Sequence, residues 1–225
     1  MRNKAFLAGM SIASLLGIAV SASAAMPGFT LAATTPRVSF YSRGEKVDVA
    51  GVEASLVRIE GALDTRMTGR ASYYRYNSAQ EVAAGTGYYA AGVTFRGQVH
   101  STQERHDHEL VHLVAAQMGD PGRFFQEGLA VALADDAKGV RRTAKKALAG
   151  GQPVSRWIAD FDGQEPGAAY AVAGAFVRHL MEAHGIEKVR AFYRAARSEA
   201  AVPGAFTAAF GQGLEPALVS FRENL

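Results

Sequence analysis

Two histidines four residues apart bracket a glutamate in the run His108-Glu109-Leu110-Val111-His112. On a helix, residues at that spacing stand one above the other, so both imidazoles can reach a single metal ion with Glu109 beside them. Zinc suits such a pair. It takes imidazole nitrogen at about 2.0–2.1 Å, and a catalytic zinc keeps a fourth position open beside three protein ligands. The third ligand should be a carboxylate or another imidazole, and Glu127, in Phe125-Gln126-Glu127-Gly128-Leu129-Ala130, is the foremost candidate. The competing reading is a solvated helix carrying two unrelated histidines. The flanking residues favour the metal. Val111, Val114 and Met118 recur at i, i+3 and i+7, the spacing of a helix with a buried face. Ala115 and Ala116 are small enough to admit a second helix. Gly119-Asp120-Pro121-Gly122 then turns the chain before a second amphipathic stretch from Phe124, which can carry Glu127 back over the first helix.

The elements that must position these residues follow from the pattern on either side. Residues 37–41 alternate as a strand, and Asp48 reads as the N-cap of a helix to about Leu63 whose Val52, Leu56, Ile59 and Leu63 form a core stripe. A second strand is predicted over 71–76, a short helix capped by Asn77-Ser78 over 79–84, and a third strand over 88–95, extending as far as His100. That third strand leads into the histidine helix and so passes close to any metal. It could take an extended peptide along its edge; alternatively, Gly87 and Gly92 are bulges. His106, two positions from His108, is expected to point elsewhere as part of a polar first turn, and Asp107 to favour the helix dipole. Beyond Glu127 the helix is predicted to run to about Ala137. Arg141, Arg142, Lys145 and Lys146 then form like-charged i, i+4 pairs, read as a solvated face. Trp157 anchors the next segment, 160–167 is a loop, and helices are expected over 168–184, 186–198, 204–210 and 214–224. The fold class is therefore α+β, with a small N-terminal mixed sheet and a mainly helical C-terminal half.

The chain has 225 residues, 48 % apolar and 20 % charged, enough for one domain with its own core. Residues 1–25 read as an export signal: a basic start at Arg2 and Lys4, an apolar stretch from Phe6 to Val20 and a small-residue end at Ser21–Ala25. Residues 26–36 are expected to be a mobile lead-in, with the domain over 37–225 and a periplasmic or extracellular address. Loss of Arg2 and Lys4 takes the 24 cationic side chains to 22 against 21 acidic ones, a formal balance of +1. Bulk charge thus gives no argument for a nucleic-acid partner. With no cysteine, an exported chain must be held by its core or a metal rather than by disulfides. No stretch after residue 25 is long enough for stable membrane insertion.

His108-Glu109-x-x-His112 followed by Phe125-x-Glu127-Gly128-x-Ala130 resembles the gluzincin metallopeptidases, specifically the peptidase-MA-like group. The stretch Tyr170 to Leu180, with Gly174, Phe176 and Val177, is similar to a helix of that group. The resemblance implies a zincin-like fold, one zinc ion held by His108, His112 and Glu127, and Glu109 as the general base. It also implies a tyrosine facing the zinc from a later helix, a position that Tyr170 matches; His184 could substitute, but as the last helix residue before Gly185 it reads as a partner of the helix dipole. The expected substrate is a peptide or protein. Two departures stand out. The interval from His112 to Glu127 is short for the family, and Ala116 stands where many relatives carry an aspartate supporting a ligand. A zinc-holding module without turnover and a zinc hydrolase of another amide are the alternatives, and Glu109 separates the first from a peptidase.

Overall fold

Residues 26–225 are described by the structure, a computed structural model. The expected export signal lies outside them. The chain first lays down β1 (Thr30–Thr34) and β2 (Val38–Ser42), then α1 (Val49–Leu63), β3 (Ala71–Arg75) and α2 (Ala79–Thr86). A hairpin of β4 (Gly92–Phe95) and β5 (Gln98–Ser101) follows. The five strands form one mixed sheet in the order β1-β2-β3-β5-β4. Its centre is parallel, β2 with β3 and β3 with β5, and both edges are antiparallel. Helical residues take over from there: α3 (Asp107–Ala115), α4 (Arg123–Ala134), α5 (Ala137–Leu148), α6 (Val154–Ala159), α7 (Pro166–His184), α8 (Ile186–Ala195), α9 (Val202–Phe210) and α10 (Leu214–Asn224).

The caps explain where several helices begin. Asp48 accepts a hydrogen bond from the Gly51 amide at the start of α1, and Ser78 does the same for Glu81 at α2. Asp136 accepts from the Gly139 amide at 2.6 Å, which opens a separate helix. The helix carrying Glu127 therefore ends at Ala134 rather than Ala137. Glu165 caps α7 through the amides of Gly167 and Ala168, with Pro166 in its first turn, so that helix starts two residues before 168.

Two further expectations change. The lead-in is partly structured: β1 pairs with β2, and Phe29 is buried against Tyr74 and Tyr76 at ring distances of 5.2 and 4.8 Å. The third strand is shorter than predicted. Residues 88–91 stay outside the sheet, and a two-residue turn at Arg96-Gly97 folds the segment into the β4/β5 hairpin. Neither Gly87 nor Gly92 is a bulge. Gly87 ends α2, and Gly92 pairs in register with Ser101.

One large core joins the sheet's inner face to the helices, from Val38, Phe40 and Tyr73 through Leu110, Val114, Phe125 and Phe176 to Phe221. Trp157 is buried within it, as expected. Among the described residues no helix is long and apolar enough to cross a membrane.

Candidate metal centre

α3 follows closely on β5 and buries Leu110, Val111, Leu113 and Val114. Its start is pinned by Asp107, which takes a hydrogen bond from Ser55 Oγ at 2.8 Å and one from Arg58 at 3.2 Å. Arg58 also donates to the backbone oxygen of Leu133, so one guanidinium ties α1, α3 and α4 together. Asp107 thus does more than favour a dipole. It fixes the position of the helix that carries the histidines.

On that helix His108 and His112 turn their Nε2 atoms to within 3.2 Å of each other. α4 returns across α3 and brings Glu127 Oε2 to 3.0 Å from His108 Nε2 and 3.2 Å from His112 Nε2. Three ligand atoms therefore make a nearly regular triangle. Tetrahedral ligands about 2.0–2.1 Å from a zinc ion would stand roughly 3.3 Å apart, so the triangle fits the base of such a site closely. These are also the residues that the sequence singled out, and a metal-binding group of this kind is formed by them alone among the described residues.

The electrostatics are those of a partly buried anion between two imidazoles. Burial works against the charge on Glu127, but hydrogen bonds from His108 and His112 and their positive field outweigh it and hold the carboxyl well below the usual range. His112 moves the other way: burial disfavours its cation, yet the bond to Glu127 raises its pKa overall. The second oxygen of Glu127 lies 3.8 Å from Arg123 Nε, one turn earlier on α4. Arg123 is in turn paired with Asp162 and sits over the Phe161 ring at 5.7 Å. This outer partner is not among the residues that the sequence pointed to, although the Arg123–Glu127 i, i+4 spacing was there to be read. Ala116 is exposed at the end of α3 and offers no polar group.

Glu109 is 6 % exposed, and burial raises its carboxyl pKa while the two histidines temper the rise. Thr94 Oγ1, on β4, donates to its backbone oxygen at 2.9 Å. β4 comes this close because residue 92 has no side chain. A Cβ there would lie 2.3 Å from His106 Nδ1 and 2.9 Å from Glu109 Cγ. His106 does point away from the triangle, as expected, but not into solvent. Its Nδ1 lies 2.9 Å from Ser101 Oγ, and its ring centre is 6.3 Å from that of His108, on the Gly92 side of the site.

Tyr170 comes from α7. Its ring stacks on His108 with centres 5.8 Å apart and planes at 26°. Burial, then the charge of Glu127, pushes its hydroxyl up to about 12, so it stays a proton donor at neutral pH. α7 reaches this position by crossing α4 at Gly128. A Cβ on Gly128 would meet Ala173 O at 2.7 Å and Val177 Cγ2 at 2.8 Å. His184 is remote in role: it stands at the far end of α7 beside Gln212 and Phe210. No family model matches the chain, and no curated protein matches its sequence.

Proposed function

We propose that this protein is a metal-dependent hydrolase, with zinc held by His108, His112 and Glu127. Within that class the reading is a metallopeptidase of zincin-like fold, exported and acting on peptide or protein substrates. The observation that carries it is the triangle of two Nε2 atoms and one carboxylate oxygen at 3.0–3.2 Å, with a buried glutamate on the same helix turn.

Zinc, when bound, supplies the Lewis acidity that makes water a nucleophile near neutral pH and polarises a carbonyl. Glu109 takes the proton of the attacking water and returns it to the leaving amine, a contribution of about 10²–10⁴-fold. Its raised pKa suits both taking the proton and giving it back. Tyr170 gives a hydrogen bond to the oxygen that gains charge. β4 has a sheet neighbour on one side only, β5, and its outer side can pair with an extended peptide.

Metal content and peptide hydrolysis of the purified protein, beside Glu127→Ala and Glu109→Gln, decide the matter. About one zinc per chain is expected in the wild type and in Glu109→Gln, with strong loss in Glu127→Ala. Hydrolysis should fall by at least about 100-fold in Glu109→Gln. Full activity in that variant with zinc still bound would refute Glu109 as the base, and a metal-free wild type after reloading would refute the centre.

A further inference from the structure

The charge on α5 has no part in the candidate centre. This helix carries Lys138, Arg141, Arg142, Lys145 and Lys146 and no acidic residue. All five cations are exposed, while Ala144 and Leu148 are buried. At 100° per residue the five fall within one arc of the helix surface. Lys138–Arg142, Arg141–Lys145 and Arg142–Lys146 are like-charged i, i+4 pairs, each a cost to the helix.

No ion pair among the described residues offsets them. Lys138, Arg142, Lys145 and Lys146 make no hydrogen bond or ion pair with the described residues, and Arg141 donates only to the backbone oxygens of Asn224 and Leu225. Elsewhere Arg37, Arg58, Arg105, Arg190 and Arg194 are each paired with a carboxylate. Residues 26–225 hold 22 cationic and 21 acidic side chains, so with five cations on α5 the remainder counts 17 against 21, a net −4. Five of the 22 cations are thus gathered on one helix of a molecule that is almost neutral overall. Such a charge distribution orients a protein against an anionic surface without attracting it in bulk.

We propose that the exposed face of α5 docks on an anionic phospholipid bilayer. The face is a convex helix side and not a groove, and it has no aromatic residue on which bases could stack, which speaks against a nucleic-acid strand. None of the large exposed apolar side chains lies on α5, so the helix adsorbs to the headgroups without inserting. α5 packs on α7, and an open hollow between the two is lined by Asp135, Asp136, Val140, Thr143 and Tyr170.

The decisive experiment is flotation of the full protein with vesicles of equal parts phosphatidylglycerol and phosphatidylcholine, against phosphatidylcholine alone. Binding is expected to the mixed vesicles only, and to vanish in about 1 M salt, where the screening length falls to about 3 Å. Each headgroup-facing cation contributes about fivefold to partitioning, so the triple variant Arg142→Gln, Lys145→Gln, Lys146→Gln should lose on the order of 100-fold. A triple variant of equal charge change elsewhere, Arg66→Gln, Arg70→Gln, Arg197→Gln, should bind as the wild type does. Equal loss in the two triple variants, equal binding to the neutral vesicles, or no binding to the mixed ones would each overturn the proposal. The salt arm uses the wild type alone and stands even if a variant misfolds.

Discussion

Glu127 faces two ways. Its Oε2 meets the two imidazoles, and its Oε1 is left to Arg123 at 3.8 Å. A carboxylate so divided is fixed in orientation before any metal arrives, because rotation about its last bond would bring Oε1 towards the histidines and break both contacts. Tyr170 reaches Arg123 and Glu127 through its hydroxyl as well, but it is a neutral donor whose ring lies on His108, whereas Arg123 holds the carboxylate by charge. The two residues should therefore separate in experiment. Removing an outer partner weakens metal sites by about 10–100-fold, so Arg123→Gln should raise the zinc dissociation constant by about tenfold while the zinc-loaded enzyme keeps most of its kcat. Tyr170→Phe should do the reverse, holding zinc as before and lowering kcat by about 10²–10³-fold, the cost of one lost oxyanion donor. Chelator competition and steady-state kinetics on both variants give the comparison. If Tyr170→Phe loosened zinc and spared kcat, Tyr170 would be packing for His108 and nothing more.

At the scale of elements, the site depends on how closely helices can cross. α4 and α7 approach until Gly128 has Ala173 O where a Cβ would stand, and Gly174 meets Val131 in the same way. In an open helix Gly→Ala stabilises by roughly 0.5–1 kcal/mol, since it restricts the unfolded chain. At Gly128 the added methyl must push α7 away, and overpacking of this kind costs about 1–3 kcal/mol. Urea unfolding of Gly128→Ala without metal should accordingly show a loss, and a gain would mean that the two helices stand further apart than 2.7 Å to Ala173 O implies. Here the limits of the sequence are visible in physical terms. The meeting of His108, His112 and Glu127 was legible because two histidines one helical turn apart and a carboxylate beyond the next chain turn are constrained in type and spacing together. α7 to α10 were legible from their apolar period with ends up to three residues off, whereas α6 (Val154–Ala159) was too short to show one, and a local bond at Asp136 decides the boundary between α4 and α5. β1 was not legible. Residues 30–34 are mostly exposed and gain their order from pairing with β2, a contact that no local pattern encodes. The surroundings of His106 were hidden for the same reason, because they come from Gly92 and Ser101 on the folded hairpin.

For the molecule as a whole, the junction of sheet and helices stores a dependence on pH that rests first on His100, outside the candidate centre. His100, on β5, has no exposed surface. Its ring is stacked between Tyr74 and Phe95 at 5.0 and 5.1 Å, with Nδ1 2.9 Å from the Tyr76 hydroxyl and Nε2 3.2 Å from Gln98 Oε1. With an oxygen acceptor at Nε2, that nitrogen carries the proton and Nδ1 accepts from Tyr76. Burial lowers the pKa of this ring to about 4, and burial lowers that of His106 to about 4 as well. In the unfolded chain both return to about 6.5. At these two rings the unfolded state therefore binds more protons between pH 4 and 6.5, and their contribution to stability rises with pH across that window. It is complete above about 6.5, and it is lost as pH falls toward 4, by up to about 3 kcal/mol for His100. His112 and Glu127 titrate mainly outside it, because one is raised above and the other lowered below their ordinary values. Urea unfolding in the presence of a chelator, measured through that window, should give the wild type a slope about 1.4 kcal/mol per pH unit steeper than His100→Gln, the signature of one proton. Identical slopes would mean that His100 already carries its charge in the fold, and that Tyr76 turns its hydroxyl oxygen toward it as an acceptor.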